Sequence, residues 1–402
     1  MKINNEPIKW ERADDDYVIS CYRELHQIPE TGLFLPRTKA YIVKKLQEMG
    51  LTPVYYEGHS SVSAKICGRD ESRVILLRAD MDGLEMAEET GLPYASANGN
   101  MHSCGHDAHM AMLLGAARIL MRYRQRMKGC VRLLFQAGEE EPGGAVLLLG
   151  QGILEGPVEA VFGQHAGNLA GLPKGNIGVK SGPVMAAKDS FSITIHGKGC
   201  HGAMPEQGID PVVTAAQIIL ALQTLISRER RGTEPAVLTV GSVHGGAADN
   251  IISDSVVMRG ALRTTDSKFR AYMEERIVTI CTKTAEAMRA GCDIHYSRGY
   301  PVLENNPACT TFFREQAQRF WGKEQVSELE GAILASDDMA CYLEQCPGVY
   351  WFYQTIEPES PYGNHHPGFV TDETLLMKGA AFLAHLSMEW FLKKEDGNCL
   401  QK

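Results

Sequence analysis

Apolar positions along this chain change period twice, and each change marks a change of architecture. From Asp16 to Gln136, helical spacing and short apolar runs alternate. The spacing predicts helices near Tyr17–His26 and Thr38–Met49, a strand at Arg73–Leu77, a long helix over Ala108–Met127 and a strand at Cys130–Phe135. Val158–Phe162 repeats the same uninterrupted apolar style. Runs of that kind suit strands buried on both faces, and strands separated by helices imply crossover connections. The expectation is an α/β fold: a mostly parallel sheet flanked by helices.

After Gly182 the apolar positions alternate, as a half-buried sheet requires. Strand Ser190–His196, helix Asp210–Ser227, strands Ala236–Val243 and Val256–Thr264, helix Ser267–Ala290 and strand Cys292–Tyr296 give the order βαββαβ of a two-layer sandwich. From Tyr300 the first style resumes, with helix Thr310–Trp321, helix Asp337–Glu344, strand Val349–Tyr353 and helix Glu373–Leu392. Residues 1–185 and 300–402 are therefore expected to form one domain, with 186–299 inserted as a second. The length of 402 residues agrees, since single cores rarely exceed about 250 to 300 residues.

Composition narrows the classes. A content of 44% apolar and 22% charged residues is that of an ordinary globular protein. The net charge of -9, with no long Lys/Arg block, argues against a nucleic-acid partner. Met1–Asp16 lacks the apolar stretch of a secretory signal, so a cytoplasmic location is expected. No uncharged apolar run reaches the ~20 residues of a bilayer span, so no membrane partner is expected. Eleven scattered cysteines do not resemble a paired secreted framework, and reduced thiols are expected, one as a ligand.

The densest chemistry is His102-Ser103-Cys104-Gly105-His106-Asp107-Ala108-His109, just ahead of a helix. Thiolate and neutral imidazole are ligands for zinc-like ions, and Gly105 lets the backbone bend so that Cys104 and His106 converge. His102 and His109 read either as solvated residues of a polar turn or as supports behind the ligands. Glu139-Glu140-Glu141 follows a strand, where open α/β sheets place their sites; adjacent carboxylates can divide metal binding and proton transfer. His165 at a strand end, His365-His366-Pro367 in a turn, and Asp80-Met81-Asp82 complete five segments that end strands or turns of one domain. Such convergence is how a dinuclear site is assembled.

These residues resemble the aminoacylase, hippurate-hydrolase and indoleacetyl-amino-acid-hydrolase branch of the dinuclear metallopeptidases. The resemblance is carried by Leu77-Arg78-Ala79-Asp80-Met81-Asp82, Glu88–Tyr94, Met101–His109, Phe135-Gln136 with Glu139-Glu140, Lys198–Ala203, Gly208–Pro211 and His365–Phe369. It implies a zinc-peptidase-like catalytic domain with an inserted dimerisation or lid domain. It implies two divalent ions, manganese or zinc foremost with cobalt or nickel acceptable, held by Cys104, His106, Glu140, His165 and His365, with Cys104 as bridge. The family register makes Glu139 the general base. Asp82 supports the cluster from behind, while Asp80 matches a ligand position elsewhere in the superfamily. The resemblance further implies a homodimer in which His201 reaches a partner's site to stabilise the oxyanion. Asn250 and Arg263 match positions that hold the substrate carboxylate.

The implied reaction is hydrolysis of the amide bond of a small N-acyl amino acid, acetyl or benzoyl for example. Alternatives on the same fold are a dipeptidase, a carboxypeptidase or a deacetylase of N-acetyl-diaminopimelate type. A metal-free Cys104 nucleophile and a catalytically silent binding protein are further rivals. Departures from the family pattern are Gly83 and Glu85 after Asp82, Gln164–Gly167, Glu206, and Asp337-Asp338-Met339. They bear on the acyl pocket.

Overall fold

A computed structural model describes residues 8–392. Part of Met1–Asp16, and Cys399, lie outside them. The chain divides into two compact units: one runs to Gly182 and takes in Glu304–Gly331 and the stretch from Asp337, the other comprises Pro183–Leu303 with Ala332–Ser336. Sequence reading leaves Ala332–Ser336 with the first domain. It joins the second because the Ala186 amide donates to the carbonyls of Ile333 (3.0 Å) and Ala335 (2.9 Å).

The first unit is built on an eight-stranded sheet. Its centre is four parallel strands, Cys130–Gln136, Val74–Asp80, Val158–Gly167 and Gly348–Gln354, in that spatial order. Every residue of Val74–Asp80, Cys130–Gln136 and Gly348–Gln354 is buried, which explains their continuous apolar runs. Antiparallel Val62–Cys67 extends one side; it is a strand the sequence reading did not assign. The helix His106–Tyr123 lies between the sheet and helices Arg12–His26 and Leu376–Leu392, buried on nearly all sides. Gly115 makes that packing possible, since a Cβ there would fall 2.5 Å from Val18 and 2.9 Å from Ala380. All four central strands run the same way, so Asp80, Gln136, Gly167 and Gln354 end at one edge, and the crevice outside those ends is where such sheets place a site.

The second unit is an antiparallel sheet in the order Ala236–Gly245, Ser255–Thr264, Ala187–His196, Gly291–Arg298. Helices Pro211–Thr224 and Ser267–Ala287 cover one face, so the chain order is the expected βαββαβ. Pro211–Glu229 is long and apolar enough, at 19 residues and mean hydropathy 1.3, to cross a bilayer by length and composition alone. Ala215, Ile218, Leu222 and Leu225 nonetheless pack into the core of this unit.

One expectation fails. Cys67 and Cys130 form a disulfide rather than remaining thiols. They face each other in register across two adjacent antiparallel strands, with Cα atoms 4.1 Å apart.

Candidate metal centre

The turn ahead of the helix His106–Tyr123 folds as its glycine requires. Gly105 sits at φ 88°, ψ 16°, left-handed backbone that a side chain disfavours. The turn places Cys104 and His106 in one buried pocket. The Cys104 thiol, His106 and His165 hold ligand atoms within 4.8 Å of one another, and so do Cys104, Glu140 and His365. Cys104 is common to both triads: its Sγ is 3.4 Å from His165 Nε2 and 3.2 Å from His365 Nε2. His365 Nε2 also lies 3.0 Å from a Glu140 oxygen. The structure thus brings all five expected ligands together, although they span 262 positions of sequence from Cys104 to His365 inclusive.

Each donor is aimed by a neighbour. His106 Nδ1–H donates to the Asp82 carbonyl at 2.7 Å, and His165 Nδ1–H to the Ala166 carbonyl at 2.9 Å, so both rings keep an Nε2 lone pair for the pocket. The Asp82 carboxylate accepts the backbone amides of Glu139 (2.9 Å) and Glu140 (3.0 Å). Asp82 therefore clamps the acidic loop from behind. His365 adopts φ 68°, rare for a residue with a side chain, and its amide is anchored on the Ser103 carbonyl at 2.8 Å.

Both carboxylate oxygens of Asp80 are engaged by neighbours. One oxygen accepts from His109 Nδ1 at 2.6 Å and the other from Arg78 at 2.7 Å. His109 in turn accepts the Ala166 amide on Nε2 at 2.7 Å, so neither ring nitrogen is available as a ligand. Arg78 is fully buried and also pairs with Asp338 at 2.7 Å and Asp337 at 3.3 Å. Sequence reading treats Asp337-Asp338 only as a departure. Their partner lies some 260 positions away, and the signal that could have found them is the buried charge of Arg78 in a strand.

The electrostatics fit cations. Burial, with Glu140, Glu139 and Asp80 beside it, pushes the Cys104 thiol well above its ordinary range. Burial and the nearby Asp337 and Glu140 hold the Glu139 carboxyl well above the usual carboxylate range. Burial lowers His165 to about 3, keeping it neutral. Burial alone would lower His106 too, but Asp80 and Asp82 raise it to about 10. His106 Nε2 is buried without a hydrogen-bond partner. The carboxylates that favour a proton on this nitrogen equally favour a cation in its place, and an unpartnered imidazole nitrogen facing a thiol and two glutamates matches the donor set of a borderline divalent ion. Glu139, whose oxygen is 4.0 Å from His106 Nε2, lies beside both triads.

His201, Asn250 and Arg263 belong to the second unit. The two-residue strand Cys200–His201 pairs with Ile251–Ile252, so His201 and Asn250 are neighbours on an exposed ribbon. His201 Nδ1 accepts the Ala203 amide at 3.0 Å, which leaves the proton on Nε2. Arg263 spends one nitrogen on the Leu334 carbonyl at 2.8 Å.

Residues 76–389 match the sequence profile of the peptidase family M20/M25/M40. The chain is 40% identical over 384 residues to an N-acetyl-L-cysteine deacetylase of Bacillus subtilis, covering 95% of this chain and 90% of that one. It is 34% identical to the IAA-amino acid hydrolase ILR1-like 5 of Arabidopsis thaliana, over 94% of this chain and 87% of that one. Among solved structures, it superposes with a TM-score of 0.83 on the YXEP protein of Bacillus subtilis, a dinuclear metal-binding peptidase of the M20 family. That pair is 33% identical over 95% of this chain and 99% of that one. With the profile spanning most of the sequence and these relatives matching almost end to end, the chain belongs to the peptidase family M20/M25/M40.

Proposed function

We propose that the protein hydrolyses the amide bond of N-acyl amino acids, N-acetyl amino acids foremost, on two divalent ions held by Cys104, His106, Glu140, His165 and His365. The observation that carries this reading is the pair of donor triads sharing Cys104, with Glu139 beside them. When bound, such ions supply Lewis acidity that polarises the acyl carbonyl and lowers the pKa of water toward ~7. Glu139 takes the proton from the attacking water and returns it to the departing amine. Asp82 keeps Glu139 and Glu140 in place through their amides. His201, protonated on Nε2, is a neutral donor suited to a developing oxyanion. Asn250 and Arg263 hold the substrate carboxylate, for which a guanidinium fork is suited.

The homologous N-acetyl-L-cysteine deacetylase supports a small acyl group and a small amino acid. Zinc or manganese is the proposed metal, because a thiolate and three imidazoles sit with one carboxylate. Association through the second unit is part of the proposal: Val212, Val213, Leu220, Val237 and Val243 leave aliphatic surface exposed there. The cytoplasm is the proposed location.

The test is a panel of acetyl, benzoyl, indoleacetyl and long-chain acyl amino acids, with dipeptides alongside, assayed on metal-reconstituted enzyme by kcat/KM. N-acetyl amino acids are expected to lead. Turnover confined to dipeptides would replace this reading with a peptidase, and turnover unchanged by chelators would remove it.

A further inference from the structure

Besides the five donors, one side chain ties the loop of His365, on which it sits, to two other loops that carry them. Asn364 Nδ2 donates to the Cys104 carbonyl at 3.1 Å and to the Ala166 carbonyl at 3.2 Å. Its Oδ1 accepts the Asn168 amide at 3.1 Å. Cys104 is itself a donor, Ala166 follows His165, and Asn364 precedes His365. A primary amide is the group that can do this, since its NH₂ offers two donors and its oxygen an acceptor on one rigid plane.

Two further features show that the surroundings are shaped to this side chain. Gly167 has φ 133°, and a Cβ there would fall 2.2 Å from Asn364 Oδ1. The Ala166 peptide is held from its other side as well, by its amide on His109 and by the His165 ring on its carbonyl. Asn364 closes that arrangement: it fixes the carbonyl that orients His165 and ties it to the carbonyl of the residue shared by both triads.

We infer that Asn364 is a positioning residue of the metal centre, setting the spacing of Cys104, His165 and His365 without touching an ion. The inference rests on the two-ion reading above. Loss of the amide leaves the Cys104 carbonyl without this donor and frees the His165 and His365 loops from each other. Supporting partners of metal ligands commonly contribute about 10-fold to 100-fold in metal affinity.

The experiment titrates metal-free wild type, Asn364→Ala, Asn364→Ser and Asn364→Asp with Zn²⁺ and with Co²⁺. Calorimetry gives stoichiometry and affinity, and the thiolate-to-cobalt absorption band reports the geometry at Cys104. Wild type is expected to bind two ions. Asn364→Ala should bind about 10-fold to 100-fold more weakly, with a shifted cobalt band. Asn364→Asp should be weaker still, because its carboxylate faces two carbonyl oxygens, while Asn364→Ser keeps one donor and should lie between wild type and Asn364→Ala. Melting of the metal-free proteins separates folding from metal holding, and the affinity order should not follow the melting order. Variants that bind two ions as tightly as wild type overturn the inference. So does an affinity loss that only tracks the metal-free melting temperature. Failure of wild type itself to bind metal would instead defeat the two-ion reading.

Discussion

Polar residues are held very differently around Cys104 and around His201. In the first region the groups behind the donors are each fixed more than once: Asp82 by two amides, Asp80 by His109 and Arg78, and the Ala166 peptide by His109, His165 and Asn364. All of it except Glu140, Asn364 and His365 is buried. In the second region His201 and Asn250 are exposed on a ribbon of two-residue strands, and His201 has one backbone partner. The contrast follows from the work proposed for each. Donors that gather cations must be oriented and desolvated beforehand, because a loose ligand loses affinity with every rotamer it regains. Groups that meet a substrate or another subunit have to remain reachable until that moment.

The largest test of this contrast is made on the buried side. Glu139→Gln keeps the shape and the hydrogen-bonded loop but removes the base, so kcat should fall by ~10²-fold to 10⁴-fold while two ions stay bound. Elemental analysis alongside kinetics checks this. Loss of metal together with activity would make Glu139 a ligand, and retained turnover would end its role as base.

On the exposed side, His201→Ala should lower kcat by ~10²-fold to 10³-fold with metal content and melting unaltered. Mixing it with Glu139→Gln sharpens the point. If His201 serves a partner's site, a mixed dimer holds one site with both groups intact, and two nearly inactive proteins should regain activity on mixing. Absence of recovery after subunit exchange, with dimers verified by sedimentation, would confine His201 to its own subunit.

Asp82→Ala should produce an intermediate effect of a different kind. The carboxylate touches the amides of Glu139 and Glu140 rather than the pocket, so its removal loosens the loop and weakens metal binding by about 10-fold to 100-fold. Full activity at saturating metal would fit this supporting role. An activity that no metal concentration restores would count against it.

What could be read from the sequence follows the same division. The central strands were legible because burial on both faces forces unbroken apolar runs, and Gly105 because a turn between two ligands needs left-handed backbone. The helix Gly144–Gly150 was hidden, since Pro142-Gly143-Gly144 reads as a turn and the helix begins on its last glycine. Arg78 with Asp337 and Asp338 could not be paired by pattern, because a buried ion pair leaves no periodic trace. Asn364 was invisible for a related reason: in a segment rich in glycine and proline an asparagine looks like turn chemistry, and only the approach of Cys104 and Ala166 shows otherwise. Cys67 and Cys130 stand 63 positions apart, and only strand register brings them opposite.

The smallest expected effect concerns stability rather than turnover, and it extends the contrast behind the helix that starts at His106. His26 is buried, 2.6 Å from Asp107 and 3.0 Å from Glu88. Burial alone would lower its pKa, but those two carboxylates raise it from 6.5 to about 10. A raised value in the folded state means that the charged ring favours folding fully below about pH 6.5, and that this contribution is lost as pH rises through about 10. The carboxylates act at the other end: Asp107 and Glu88 are both lowered despite burial, so their contribution disappears as pH falls below the ordinary carboxylate range. His26→Gln removes the titrating ring while keeping a polar side chain. Urea unfolding of both proteins between pH 6 and pH 10 should therefore show the gap between them narrowing toward the alkaline end. Parallel curves across that range would mean that His26 is neutral in the folded protein and that the Glu88–His26–Asp107 cluster holds the start of the helix by hydrogen bonding alone.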